Sequence, residues 1–259
     1  MLLDGRVVVI TGVGPGLGRS LAVTCAREGA SVALAARTAA VLESVADEII
    51  RSGGKALAVP TDVTDPAARQ ALVAAAVSEF GRIDGLVNSA FVQPPMEPIA
   101  EVDLETWLHS FTINCHAAVG MTQAAIAVLV DSRSPSVVFV NTMSLLTNRP
   151  NFGAYTAAKA ALAAAAKVLA AEVGPKGIRV NSIAPGYIWG EPVEGYLQSQ
   201  ADARGVEFQT VLDELLLQIP LRRVNTPDEI ANAAVFLLSD LARGITGVMI
   251  DVNGGQAMR

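Results

Sequence analysis

Histidine and cysteine are scarce in this chain, with two of each among 259 residues. Cys25 and Cys115 stand far apart, each inside an apolar helical stretch, so they are expected to be reduced, buried thiols of a cytoplasmic protein, with no disulfide framework. His109 and His116 could share a helix face, but no cysteine or acidic cluster accompanies them at ligand spacing, and no metal is expected. Basic residues are in the minority. A net charge of −6 and a pI near 5.0 argue against nucleic acid or an anionic membrane as partner. No uninterrupted apolar run reaches the roughly 18 residues of a membrane-spanning helix, and Met1-Leu2-Leu3 gives way at once to Asp4, Gly5 and Arg6, unlike a signal peptide.

Apolar residues are abundant, 51% against 17% charged, enough to build a large core in a single domain over 1–259. Runs rich in Val and Ile at 6–11, 31–36, 55–61, 84–89, 136–142, 178–184 and 247–252 read as strands. Between them, 17–28, 39–51, 66–80, 104–130, 154–173 and 227–238 carry helix-period apolar patterns, with Thr64 or Asp65 and Thr226 as caps before Pro66 and Pro227. This alternation predicts an α/β, doubly wound, Rossmann-type fold with a seven-stranded parallel sheet covered by helices on both faces. Continuous apolar strands such as Val7-Val8-Val9-Ile10 agree with that burial. Residues 190–219 break the rhythm with Gly, Pro, Tyr196 and a charged helix, so 187–220 is expected to be an insertion lying as a lid over the carboxyl ends of the strands.

Two local patterns carry chemistry. The turn Thr11-Gly12-Val13-Gly14-Pro15-Gly16-Leu17-Gly18-Arg19 joins the first strand to the first helix. Glycine there permits positive φ and close backbone approach to a pyrophosphate, while the helix amino terminus offers unpaired N–H groups and a favourable dipole. The context points to a dinucleotide. On a later helix Tyr155 and Lys159 are four residues apart and share a face. An ammonium beside a phenol favours the phenolate, lowering a reference pKa of about 10 and giving a usable acid/base.

These motifs, followed in order by Asp62-Val63, Asn88-Ser89-Ala90, Asn114, Tyr155-x-x-x-Lys159, Pro185-Gly186 and Asp251-Val252-Asn253-Gly254-Gly255, resemble the short-chain dehydrogenase/reductase family over the whole chain. The resemblance implies an NAD(P)-dependent oxidoreductase that interconverts a secondary alcohol and a ketone by hydride transfer. It implies cofactor contacts from Gly12, Gly14, Pro15, Gly16, Leu17 and Gly18 in the turn. It adds Asp62 at the adenine ring, Val63, Asn88 at the adenine ribose, Ser89, Ala90, Tyr155, Lys159, Pro185, Gly186 and Ile188. At the end of the second strand, Ala36 stands where a carboxylate would bind the ribose hydroxyls, and Arg37 follows. A guanidinium can grip a 2′-phosphate, so NADP is expected over the alternative, NAD.

For catalysis the resemblance implies Asn114, Thr142, Tyr155 and Lys159. Thr142, thirteen residues before Tyr155, occupies the usual serine position; Ser144 competes for it, and both hydroxyls share a side if the chain stays extended. Asn114 is implied to anchor a water between Lys159 and solvent. Two departures stand out: Phe91 replaces a glycine and should narrow the cleft, and Gly190 replaces a Thr that helps hold the nicotinamide amide. Phe91, Ser144, Tyr187 and Trp189 are the candidate substrate contacts, with Met96, Met143, Leu145, Leu146 and Tyr196 near the site edges. No Arg or Lys is obviously placed to hold a carboxylate or phosphate, which favours a small apolar alcohol or ketone. Enoyl-reducing relatives commonly separate the Tyr and Lys by six residues where this chain has three, favouring C–O over C=C chemistry. A non-catalytic dinucleotide sensor would require a broken set, and only Ser to Thr is altered. Family members are often homotetramers, so a dimer or tetramer is expected through 104–130, 154–173 and the last strand.

Overall fold

The computed structural model describes residues 1–259 and joins seven parallel strands in one sheet: β1 (Val7–Thr11), β2 (Ser31–Ala36), β3 (Lys55–Pro60), β4 (Gly85–Asn88), β5 (Ser136–Val140), β6 (Arg179–Pro185) and β7 (Met249–Val252). Their order is β3-β2-β1-β4-β5-β6-β7. The chain leaves β1 toward β2 on one side and later fills β4 on the other, so the strand order reverses at β1 and opens a crevice at the carboxyl ends there. Register puts Thr11 level with both Ala35 and Asn88 at that edge.

Successive side chains of a strand face opposite ways, and the core divides accordingly. Val8 and Ile10 pack beneath α1 (Leu17–Arg27), α2 (Ala39–Arg51) and α9 (Pro227–Leu238), whereas Val9 and Leu86 face α3 (Pro66–Phe80), α5 (Ala117–Leu129) and α6 (Gly153–Val173). Capping fixes where two helices begin. Asp65, not Thr64, caps α3 by accepting from the Ala67 N–H at 2.8 Å, and Thr226 with Glu229 forms a reciprocal capping box on α9.

Two segments differ from the sequence reading. The single helix expected over 104–130 is three pieces: α4 (Leu104–Phe111), a π turn (Thr112–His116) and α5. By length and composition Leu104–Leu129 could cross a membrane, yet it is packed against α3 and α6. The 190–219 segment holds two helices, α7 (Glu191–Arg204) and α8 (Phe208–Leu217), which meet over their own small core of Leu197, Ala201, Val211, Leu215, Ile219 and Val224. Its entry is tied to the residues before α9, where the Trp189 N–H donates to the Asn225 carbonyl at 2.8 Å.

Candidate active site

The glycine-rich turn is built for an anion. Gly12 sits at φ +73°, and a Cβ there would fall 2.4 Å from the Ala90 nitrogen; a Cβ at Gly18 would fall 2.2 Å from the Gly12 carbonyl. These two glycines close the turn onto the neighbouring strand end and onto itself. Gly14 and Gly16 instead face open space. Thr11 Oγ1 accepts from the Ser89 and Ala90 N–H groups at 3.2 and 3.4 Å, fastening the turn to the segment after β4. No side chain caps α1 and no acidic residue lies in its first turn, so its leading amides and dipole are available to an outside anion. The Asn88 carboxamide donates to Thr122 Oγ1, but its buried Oδ1 has no partner. Open glycines, an uncapped helix and an orphaned acceptor together fit a dinucleotide.

Along the rim, Asp62 accepts from the Thr64 N–H at 2.9 Å and from its hydroxyl at 2.7 Å, which hold its carboxyl below the usual range; Arg37 adds a weaker pull in the same direction. Arg37 is exposed and makes no ion pair, unlike Arg19, which is bound to Glu48. Phe91, after β4, is 64% exposed, and its φ is not positive.

Beyond the turn, α6 and the end of β5 bring three polar groups together. Tyr155 and Lys159 lie on one face of α6, with the ammonium 5.9 Å from the phenol ring centre. Lys159 is buried, and its Nζ donates to the Val140 carbonyl, the last residue of β5, at 2.8 Å. Two residues on, Thr142 and Ser144 are both buried. The chain does not stay extended between them but enters a short 3₁₀ turn, Met143–Leu146, whose cap is Thr142: its Oγ1 accepts from the Ser144 N–H at 3.1 Å and lies 3.1 Å from Ser144 Oγ. The hydroxyls meet through a turn, not through strand periodicity.

The sequence reading expects the Lys159 charge to lower the Tyr155 pKa, but burial dominates here. The phenol is pushed up to about 12, and the Thr142 hydroxyl opposes part of that rise. Burial pushes Lys159 down to about 8, against a small opposing effect of Cys115. Near neutral pH the pair is therefore phenol plus ammonium, a state that can give a proton away.

The lowered Lys159 value has a consequence for stability. Below pH 8 the folded chain carries a buried charge that the unfolded chain keeps in water, and the unfolded state holds the extra proton between about 8 and 10.5. Stability should therefore rise with pH from 8, by at most about 1.4 kcal/mol per pH unit from this residue. From about 9 upward the raised pKa values of Cys25, Cys115 and Tyr155 act in the opposite sense. Urea unfolding of the parent and Lys159→Met between pH 8 and 9 is expected to show the rise in the parent and its loss in the variant.

Asn114 sits in the π turn. Its carboxamide donates to the Val92 carbonyl at 2.8 Å and to Ser110 Oγ at 3.2 Å, and its Oδ1 accepts from the Val92 N–H at 3.2 Å. The side chain thus pins the segment after β4. Pro185 ends β6, and Gly186 lets that end approach Asn253 and Met143, where a Cβ would come within 2.8 Å of Asn253 Cβ. Ile188 packs against the core beneath, and Trp189 against the small core of α7 and α8.

Beyond Met143 a chamber of about 430 Å³ opens between the 3₁₀ turn and α7–α8, lined by Met143, Thr147, Arg149, Tyr187, Tyr196 and Leu197 among others. Of the four candidate substrate contacts, Tyr187 is in its lining, and Phe91, Ser144 and Trp189 are not. Arg149 is the residue that sequence reasoning missed. It donates to the Tyr187 hydroxyl at 2.7 Å and to the Tyr196 hydroxyl at 3.2 Å, partners 38 and 47 residues away, and nothing local signals the contact.

A family model described as enoyl-(acyl carrier protein) reductase matches residues 12–257. The chain is 34% identical to an L-rhamnose 1-dehydrogenase (NAD(P)(+)) from a Sphingomonas species, with 98% of this chain and 97% of that protein aligned. Among solved structures it is similar to an NAD⁺-bound xylitol dehydrogenase, with a TM-score of 0.91 and 28% identity over 98% of this chain and 100% of that one. It is also similar to a 7α-hydroxysteroid dehydrogenase in complex with NADH and 7-oxo glycochenodeoxycholic acid, with a TM-score of 0.89 and 30% identity over 99% and 96%. With the glycine turn, the Tyr155–Lys159 face and the sheet order all in place, the chain belongs to the short-chain dehydrogenase/reductase family.

Proposed function

We propose that the protein interconverts a secondary alcohol and a ketone, with Tyr155 as the acid/base and NADP as the preferred cofactor. One observation carries this reading: the Tyr155, Lys159 and Thr142 side chains converge at the end of β5, on the same carboxyl edge of the sheet as the open glycine turn. A bound nicotinamide supplies the acceptor or donor of hydride. In reduction, Tyr155 would give its phenol proton to the carbonyl oxygen as hydride reaches the carbonyl carbon, leaving a phenolate beside the Lys159 ammonium that solvent reprotonates; in oxidation that phenolate form would take up the O–H proton as the C–H pair leaves as hydride. Thr142 holds the substrate oxygen, Ser144 supports Thr142, and Lys159 keeps a positive charge beneath the phenol at neutral pH. Asn114 positions the segment after β4. Relatives named as L-rhamnose, xylitol and 7α-hydroxysteroid dehydrogenases support C–O chemistry over the C=C reduction that the family model's description suggests, as does the three-residue separation of Tyr155 and Lys159. A dinucleotide sensor is disfavoured by the complete polar set. The α7–α8 unit serves as a lid over the substrate, and the protein works in the cytoplasm.

The choice of NADP rests on Arg37, which has no carboxylate partner and stands at the rim of the crevice. Arg37→Ala is expected to weaken NADP⁺ binding by about 10–100-fold, the value of a charge-assisted phosphate contact, and to leave NAD⁺ binding within about twofold. Titration of both cofactors checks this, and equal loss of both would contradict it. We also propose self-association through α4 and α6. Leu104 and Leu108, 78% and 63% exposed, share a face with Phe111, an apolar stripe suited to a second copy.

A further inference from the structure

The chamber beyond Met143 contains more polar capacity than its own walls use. Thr147 Oγ1 and Gln256 Oε1 are buried in its lining without any hydrogen-bond partner. Of the charges lining it, Arg204 and Glu214 neutralise each other through two bonds of 2.6 and 2.7 Å. Arg149 has no carboxylate in reach. Its guanidinium lies 4.3 Å above the Phe152 ring and donates to the two stacked phenols, Tyr187 and Tyr196. A guanidinium has five N–H donors, and these two bonds leave others free. Each phenol oxygen accepts from Arg149, and the Tyr187 hydroxyl is also hydrogen-bonded to Tyr196, so one O–H of the pair is left to donate. This wall therefore offers donors and one uncompensated positive charge, while Leu197, Val211 and Leu215 add an apolar stretch to a lining that also holds Gln200 and Gln218.

We propose that the substrate is a hydroxy acid, or the corresponding oxo acid, whose carboxylate docks on Arg149 and the free O–H of the Tyr187–Tyr196 pair while its carbon chain lies on Leu197, Val211 and Leu215. The proposal rests on the alcohol–ketone reading above and names the substrate class for it. A half-buried cation without a counter-ion carries a desolvation cost that a planar anion relieves, and bidentate carboxylate geometry suits the guanidinium. A neutral polyol could use the acceptors of the lining but would leave the Arg149 charge uncompensated. A purely mechanical strut between the 3₁₀ turn and α7 would need no charge.

The test uses straight-chain hydroxy acids of increasing length, with the hydroxyl on the penultimate carbon, and their primary amides, oxidised with NADP⁺ and NAD⁺. At the best-fitting length the acid should exceed its amide in kcat/KM by about 10–100-fold, the worth of a charge-assisted hydrogen bond. Arg149→Gln should bring that ratio to about one, and Arg149→Lys should retain part of it. A ratio near one in the parent, or an unchanged ratio in a folded Arg149→Gln variant, overturns the proposal. A strut role would lower acid and amide together and leave the ratio where it was. Calorimetric titration of the cofactor-loaded protein with straight-chain carboxylic acids and their amides reads the same site without turnover: tighter binding of the acid, lost in Arg149→Gln, supports it, and equal binding overturns it. Oxidation of neutral secondary alcohols with no preference for acids would sink this inference alone. Failure to oxidise any alcohol would sink the functional reading beneath it.

Discussion

Tyr155→Phe is expected to lower kcat by about a thousandfold, the typical worth of a positioned general acid/base. Cofactor affinity should fall by no more than about tenfold, because only one neutral hydroxyl is removed and the ring keeps its packing. The expectation follows from the proton inventory of the site. Thr142 and Ser144 are engaged with each other, and Lys159 is committed to the Val140 carbonyl, so Tyr155 is the group left to exchange a proton with substrate oxygen. Thr142→Ser should behave very differently, since it keeps the hydroxyl and removes a methyl group. Steady-state kinetics and cofactor titration on both variants check the contrast. Turnover of Tyr155→Phe within tenfold of the parent would move the proton transfer to another residue.

The second large effect separates two glycines of one turn. At Gly12 an added methyl meets both a positive φ and the Ala90 backbone at 2.4 Å, and backbone cannot move aside as a flexible side chain can. Gly12→Ala should destabilise the fold by about 2–5 kcal/mol and lower Tm by about 10 °C, with loss of cofactor binding. Gly14→Ala places its methyl in open space at a negative φ. It should melt within about 2 °C of the parent yet bind cofactor at least about tenfold more weakly, because the methyl enters the space reserved for the phosphates. Thermal melts with and without cofactor distinguish the two. Equal melting temperatures for the two variants would show that Gly12 closes no essential contact.

Local chemistry made much of this legible in advance. Strands buried on both faces announce themselves as unbroken runs such as Val7–Thr11, and Asp65-Pro66 and Thr226-Pro227 carry their helix starts in two residues. The Tyr155–Lys159 pair follows from helical spacing alone. What escaped depends on distant partners. The π turn interrupts a continuous apolar pattern where Asn114 is bound to Val92, 22 residues back, a contact no periodicity encodes. The two helices of 190–219 are held by a small core of their own, and their weak apolar pattern reads from sequence as one charged segment. Arg149 looks like a surface charge in Asn148-Arg149-Pro150 until α7 brings Tyr196 to it. The Tyr155 pKa missed in direction because spacing reports proximity to a charge, whereas burial, which decided the shift, is a property of the packed whole.

The most direct measurement follows the carbon-bound hydrogen. Secondary alcohols deuterated at the carbinol carbon, hydroxy acids included, are incubated with the protein and oxidised cofactor, and the reduced cofactor is analysed by mass spectrometry. The account predicts deuterium on the nicotinamide with the parent protein and essentially none formed with Tyr155→Phe. Cofactor that binds the parent protein but stays oxidised across the whole set, or is reduced equally by both proteins, would contradict it.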